Sequence, residues 1–335
     1  MPDDVLTLAE QFRRALVAND IAAEKRLIAA YQGLYARVRD LADALVLEIA
    51  KDENMTPAQV RRLERYGRLL KTVEGELTDY GAFVKTEMSV AAREAIRMGE
   101  ANARALVAIA FGDKRLAARF NVLNTAVIEQ LLGFLSPEGE LYKRLGMLPA
   151  YTADQVANAI LEGVGLGKNP RTIARGLTDA FGMGLTDSMR MMRTVQIYSY
   201  REANLASYRA NSDVVSKWIW YANLATACPS CIAMHGTVHD LSERLNDHHN
   251  GHCAPLPLVI GAKNDITPGV DWFNQQPEAY QRQLLGKSKF EAWKGGAFQF
   301  GDLVDTHNDA VYGEMRSVAP LWKLLGAEPP VRMGR

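Results

Sequence analysis

The sequence predicts a predominantly α-helical α+β protein, in which a long amino-terminal helical hairpin is followed by a smaller α+β carboxy-terminal domain. Two observations predict this fold class. In the first part of the chain, apolar residues recur at steps of three and four, which is the period of a helix with one buried face. After Asn211 the pattern changes to a β-branched and aromatic run from Val214 to Tyr221, which is typical of a strand.

Two apolar stripes predict the hairpin. The first helix carries Leu27, Tyr31, Leu34, Val38, Leu41 and Leu45. The second carries Leu63, Tyr66, Leu70, Val73, Leu77, Tyr80 and Val84. Thr56, followed by Pro57 and then Gln59, is the pattern of a helix start, and a short polar link precedes it. We therefore expect two antiparallel helices, the second reaching about Ala110, that pack within the protein rather than form a partner-binding coiled coil.

The middle of the chain is also predicted to be helical. Turn-forming residues between Gly133 and Pro149 indicate a boundary. Three helix starts are expected after it, at Thr152 with Gln155, at Asn169 with Pro170, and at Thr186 with Asp187. Beyond Pro257 we expect turns and short helices, one of them starting at Pro277. The predicted organisation is a helical hairpin over 1–135, a helical middle region over 136–212 and an α+β domain over 213–335.

The composition argues against several classes of function. Lys and Arg number 39 and Asp and Glu also number 39, so the formal net charge is zero, which disfavours a strong, general nucleic-acid binder. No apolar run is long enough to predict a membrane span. Five arginines on neighbouring predicted helices could contact phosphate, although pairing with nearby acidic residues is the favoured interpretation. They are Arg171, Arg175, Arg190, Arg193 and Arg201.

The cysteines and histidines are concentrated in one segment. All three cysteines and five of the six histidines lie between Cys228 and Cys253. Two residues separate Cys228 from Cys231, and three separate His249 from Cys253, so each pair can face a single ion. Four such ligands satisfy tetrahedral zinc. The predicted zinc ligands are Cys228, Cys231, His249 and Cys253, with His235, His248 and His252 as rival ligands.

The expected zinc is structural, because metal binding would supply folding free energy to a segment with few apolar residues. Its removal is expected to melt the loop from Cys228 to Cys253 and the strand beside it, while the hairpin stays folded. A catalytic zinc and unliganded thiols are the less favoured interpretations of the segment. The alternative function of a different class is a metal-dependent nuclease or hydrolase that uses the His cluster around Asp247-His248-His249-Asn250.

Several segments, in order and in spacing, resemble the minor head, or head-morphogenesis, proteins of tailed phages, the family that includes the Mu F protein. The first are Gly167-Lys168-Asn169-Pro170 with Ile173-Ala174, and Lys217-Trp218-Ile219-Trp220. The Cys/His segment follows with Ala227-Cys228-Pro229-Ser230-Cys231, Met234-His235-Gly236-Thr237 and His248-His249-Asn250-Gly251-His252-Cys253. The last are Asp271-Trp272-Phe273-Asn274-Gln275-Gln276-Pro277, Leu285-Gly286 and Ala292-Trp293-Lys294-Gly295-Gly296.

The resemblance implies a structural protein and not an enzyme. It implies a few copies per phage head, association with portal, capsid and scaffold proteins, and a part in head morphogenesis and in DNA packaging or ejection. It also implies a place in the virion after assembly in the host cytoplasm, and it leaves contact with packaged DNA open. The balanced charge fits protein partners better than a role that depends on gripping DNA.

Overall fold

The computed structural model describes residues 3–52, 54–112, 120–121, 140–166 and 168–329. The predicted fold class is confirmed, because the chain is predominantly helical and carries two small antiparallel sheets. The first five helices are α1 (Asp3–Ile49), α2 (Pro57–Val60), α3 (Glu64–Phe111), α4 (Glu140–Gly165) and α5 (Pro170–Ala210). Among the described residues, no helix combines the length and the apolar character that crossing a membrane requires.

The chain forms two compact units, each assembled from separate segments. The helical unit comprises Val17–Ala92 and Gly133–Gln196. The sheet unit comprises Met1–Leu16, Arg93–Leu132 and Ile197–Arg335. The sequence predicts consecutive domains, whereas the units combine distant segments because α1, α3 and α5 each contribute residues to both. The predicted boundary after residue 135 lies outside the described residues.

In the helical unit, α1 and α3 bury their apolar stripes as predicted. Every stripe residue of α1 is buried or half-buried. Tyr31 and Tyr80 meet edge to face, with 4.8 Å between their ring centroids. Three ion pairs among the described residues link the helices, Arg26 with Glu87, Arg37 with Glu76 and Glu48 with Arg65. As the residue number on α1 rises, the residue number of its ion-pair partner on α3 falls, so the two helices are antiparallel.

Two of the predicted helix starts are present as capping interactions. The Thr56 amide donates to Gln59 Oε1 at 2.8 Å, and the Gln59 amide donates to Thr56 Oγ1 at 3.3 Å. This capping box begins only the single turn of α2, and the long second helix begins at Glu64. Asn169 Oδ1 accepts from the Thr172 amide at 3.0 Å, so it caps α5 as expected.

The predicted helix starts at Thr152 and Thr186 are wrong, because both residues lie inside helices. Thr152 is in α4, which also contains Pro149, and Thr186 is in α5. The Thr186 hydroxyl donates to the Gly182 carbonyl at 3.0 Å, one turn earlier in the same helix. A threonine can therefore satisfy its hydroxyl within a continuing helix, and a capping pattern alone does not start a new one.

The sheet unit contains all five strands among the described residues. They are β1 (Val215–Tyr221), β2 (Val238–Asp240), β3 (Ala254–Val259), β4 (Val304–Asp309) and β5 (Gly313–Val318). The short helices are α6 (Pro229–Met234), α7 (Gly269–Asn274), α8 (Glu278–Leu285), α9 (Lys287–Lys294) and α10 (Leu321–Leu324), with a 3₁₀ turn at Phe300–Leu303. β1 confirms the predicted strand, and α8 confirms the helix start at Pro277. The β4–β5 hairpin corrects the expectation of only turns and short helices after Pro257.

The first sheet has the order β2-β1-β3, and both neighbours are antiparallel to β1. Three successive residues of β1, Trp218, Ile219 and Trp220, are fully buried, so both faces of this strand are covered. β3 is an edge strand, which lets it include Pro255 and Pro257, because proline has no amide to donate to a further strand. Cysteines from the Cys/His segment belong to the same core cluster as both tryptophans. The sheet thereby fixes the place of the candidate site.

Candidate metal centre

The first half of the candidate site is the turn that leads into α6. Cys228 immediately precedes the helix, Pro229 opens it, and Cys231 lies in its first turn. Proline is favoured at this first helical position, so the helix begins directly after Cys228. His248 Nε2 lies 3.2 Å from the Cys228 sulfur and 3.3 Å from the Cys231 sulfur. The three side chains thus converge on one point.

The second half of the site comes from the segment that leads into β3. Cys231, Asp247 and Cys253 are all buried, and their ligand atoms lie within 4.8 Å of one another. The Cys231 thiol donates to Asp247 Oδ1 at 3.2 Å. Cys231 is therefore shared by two groups of three, and together the five residues could hold a metal ion.

The predicted ligands are only partly brought together. Cys228, Cys231 and Cys253 join the group, but His249 does not. His249 Nε2 lies 3.3 Å from Asp309 Oδ2, and its ring packs edge to face on Tyr312 at 5.5 Å. His248 takes the place expected for its neighbour, because successive side chains of this loop point in different directions.

The other rival histidines lie outside the group in the part of the chain that the structure describes. His235 Nδ1 accepts from the Ala222 amide at 3.0 Å, and burial lowers the pKa of His235 to about 4. His239, which was not among the rivals, lies between Thr237 Oγ1 at 2.8 Å and Glu243 Oε2 at 3.0 Å. These two imidazoles are occupied by contacts of the fold.

The ring orientation of His248 suits a metal ligand. Its Nδ1 lies 2.8 Å from the His249 carbonyl oxygen, and a carbonyl can only accept, so Nδ1 carries the proton. In the neutral form of the ring, which is the form that binds a metal, the unprotonated Nε2 then faces the sulfurs. Metal-bound histidines are usually held in this way, with the distal N–H donated to a backbone carbonyl or carboxylate.

The sulfurs and the imidazole of the group shift one another's pKa values. The hydrogen bond from Cys231, with a further one from His248, lowers the pKa of Cys228 to about 4. The hydrogen bond to Cys228 in turn raises the pKa of His248 to about 9. The neighbouring sulfurs raise the pKa of Cys231, and burial raises the pKa of Cys253. Three sulfurs beside one carboxylate cannot all ionise in a buried space unless a cation balances them.

Arg201, on α5, forms hydrogen bonds to the second half of the site. Its Nε donates to the Cys253 carbonyl at 2.7 Å, and its Nη2 donates to Asp247 Oδ2 at 2.8 Å and to the Gly251 carbonyl at 2.9 Å. Burial alone would raise the pKa of Asp247, but the charges of Arg201 and His248 hold it below its ordinary value. The sequence indicates Arg201 only as a candidate phosphate contact and does not predict its hydrogen bonds to Asp247, Gly251 and Cys253.

Other arginines of that predicted set also face acidic partners within the protein. Arg190 lies 3.4 Å from Asp187, and Arg193 pairs with Glu24. With Arg201, three of the five arginines are thus engaged in ion pairs of the fold, as the favoured interpretation expects.

Comparison with known proteins gives no relative from which a role could be transferred. No protein-family model matches the chain, and neither curated proteins nor solved structures include a significant match. Function is therefore inferred from the geometry of the site and from the sequence resemblance.

Proposed function

We propose that Cys228, Cys231, His248 and Cys253 hold one zinc ion that stabilises the sheet unit. Sulfur and nitrogen ligands suit zinc, whereas magnesium and calcium prefer oxygen. Four protein ligands complete a tetrahedral shell and leave no position for a water molecule or a substrate, which is the arrangement of structural zinc sites. Cys228 and His248 are half-buried, so an ion has access to the site from solvent.

From the sequence resemblance, we further propose that the protein is a structural minor head protein of a tailed phage. The observation that carries the structural role is the burial of two of the ligands, Cys231 and Cys253, in the core. Cys231 and Cys253 pack with Trp218 and Trp220 in one cluster, so a metal there would join two loops to the sheet. Such a site contributes to folding and needs no substrate.

The proposed partners are portal, capsid and scaffold proteins, in a phage head that holds a few copies of the chain. A role for DNA contact has less support, because the net charge is zero and three of the five candidate arginines face acidic side chains. The protein would act in head morphogenesis, with DNA packaging or ejection as the steps that it could affect.

Co-expression tests this proposal. The full chain would be produced together with the portal and scaffold proteins encoded beside its gene, and assembled heads would be purified and analysed by quantitative mass spectrometry. We expect the chain to co-purify with the portal and to be present at a few copies per head. Its absence from heads and from portal complexes would contradict the proposal, as would a gene neighbourhood without portal and scaffold genes.

The alternative is a metal-dependent nuclease, and one contact favours it. His249 is half-buried and its Nε2 faces Asp309, and a paired histidine and aspartate can act as a general base. A plasmid-nicking assay with added magnesium or zinc separates the two proposals. Nicking by the wild type that a His249→Ala variant loses would favour the nuclease, and no nicking by either protein would favour the structural role.

A further inference from the structure

The segment 247–253 supplies two of the proposed ligands and is hydrogen-bonded to α5 through Arg201. Arg201 is only 3% exposed, and its guanidinium reaches the segment at three places, the Asp247 carboxylate and the carbonyls of Gly251 and Cys253. A planar guanidinium holds its donors in a fixed geometry, so three contacts define the position of the segment closely. None of these contacts requires a metal.

Asp247 continues this network into the segment itself. Its Oδ1 accepts from the His248 amide at 2.8 Å, and its Oδ2 lies 3.4 Å from the Cys253 amide. One carboxylate therefore orients the backbone at both ligands of the segment, while Arg201 neutralises its charge. This arrangement is a buried ion pair whose remaining hydrogen-bonding capacity is used by the backbone.

Gly251 shows how closely the segment fits around that carboxylate. A Cβ atom at this position would lie 2.0 Å from Asp247 Oδ2, well inside contact distance. The Gly251 amide donates to the His248 carbonyl at 3.0 Å, which closes a turn between the two ligands. Any side chain here would displace Asp247 from Arg201 or open the turn.

We propose that Arg201 and Asp247 are positioning residues that hold segment 247–253 in its ligand-presenting conformation before a metal binds. The segment then stays ordered after metal removal, which revises the expectation from the sequence that the whole Cys228 to Cys253 loop melts. The predicted change in zinc affinity depends on the proposed zinc centre. The predicted order of the metal-free segment does not depend on it. Supporting residues of this kind typically change metal affinity by about 10–100-fold when they are replaced.

The test compares Arg201→Met with Arg209→Met in the full chain. Arg209 is a matched control, because it lies on the same helix and donates to the Leu241 carbonyl at 2.6 Å, outside segment 247–253. Hydrogen exchange of the metal-free proteins would report the amides of His248, Gly251 and Cys253. We expect these amides to be protected in the wild type and in Arg209→Met, and to exchange at least about 10-fold faster in Arg201→Met.

Zinc titration against a chromophoric chelator gives the second readout. We expect the dissociation constant for Zn²⁺ to rise by about 10–100-fold in Arg201→Met and to stay unchanged in Arg209→Met. The absorption spectrum of the Co²⁺-loaded protein adds a signature that a loss of global stability would not change, since it reports ligand geometry. Arg201→Lys keeps the charge and one donor group, so it should recover part of the affinity and remains informative if Arg201→Met fails to fold.

The outcomes separate the two proposals. Unprotected amides in the metal-free wild type, or equal exchange, affinity and Co²⁺ spectra in the wild type and both Arg201 variants, would overturn the positioning role. A wild type that binds no Zn²⁺ would overturn the zinc centre, and the exchange of the metal-free proteins would still decide whether Arg201 orders the segment.

Discussion

The helical unit and the sheet unit each contain an ion pair between an arginine and an acidic residue from distant parts of the chain, and the two pairs differ in their surroundings. Arg37 and Glu76 join α1 to α3 through two contacts of 2.5 and 2.7 Å, with side chains 59% and 20% exposed. Arg201 and Asp247 are joined at 2.8 Å, with side chains only 4% and 2% exposed. The first pair remains in contact with water, and the second has lost its hydration.

This difference reflects how each unit is stabilised. The helical unit buries repeated apolar stripes and, apart from the buried Asp20, leaves most of its charged side chains at least partly exposed, where an ion pair adds little. The sheet unit buries charged and polar groups among its aromatic residues, so each buried group needs a partner. Loss of one partner should therefore matter far more in the sheet unit.

The largest expected effect comes from Arg201→Met. Asp247 would keep a buried charge without its counterion, and breaking a buried pair in this way costs about 3–5 kcal/mol of the free energy of unfolding. Urea unfolding followed by tryptophan fluorescence measures the change. In the double variant Arg201→Met with Asp247→Leu, which removes both charges, we expect part of the stability to return. A double variant no more stable than the single one would show that lost packing, and not the unpaired charge, causes the effect.

A smaller loss of stability is expected when the pH is lowered, because His235 becomes protonated. Its pKa is lowered from 6.5 to about 4 by burial, so between these pH values the unfolded chain binds a proton that the folded chain does not. Stability is then lost as the pH falls below about 6.5, by up to about 3 kcal/mol near pH 4. His235→Asn offers an acceptor to the Ala222 amide without the titration. The difference between the unfolding free energies of the two proteins should stay constant from pH 7.5 to about 6.5 and change below that pH. A difference that stays constant down to pH 4.5 would contradict the assignment.

The smallest effect is expected from Arg37→Met. The guanidinium is exposed, and solvent replaces its contacts with Glu76. The midpoint of urea unfolding should stay the same as in the wild type. A loss comparable to that of Arg201→Met would remove the contrast between the two units.

Prediction from the sequence succeeds where burial repeats along the chain. The stripes of α1 and α3 report one buried face over many turns, and the strand β1 follows from a run of β-branched and aromatic residues. The β4–β5 hairpin has no such signal, because only Met315 among the residues of its two strands is buried and apolar. The sequence does not predict the full length of α4 and α5, because Thr152 and Thr186 lie in sequence patterns that are typical of helix caps.

The candidate site shows the same limit. The sequence predicts the cysteine pair because the two-residue spacing of Cys228 and Cys231 is local. It does not distinguish His248 from His249 as the ligand, because adjacent residues differ by only one position in their spacing to Cys253. Which imidazole turns toward the sulfurs depends on the backbone of the loop. That backbone is held by Arg201, 46 residues before Asp247, and a contact of that separation leaves no pattern in a single sequence.

The metal content of three proteins, purified without chelator and measured by inductively coupled plasma mass spectrometry, tests the central proposal most directly. They are the wild type, His248→Ala and His249→Ala, which differ at adjacent positions. We expect about one zinc ion per chain in the wild type and in His249→Ala, and a marked loss of zinc in His248→Ala. A wild type without zinc would contradict the proposed centre, and zinc lost from His249→Ala but kept by His248→Ala would contradict its ligand set.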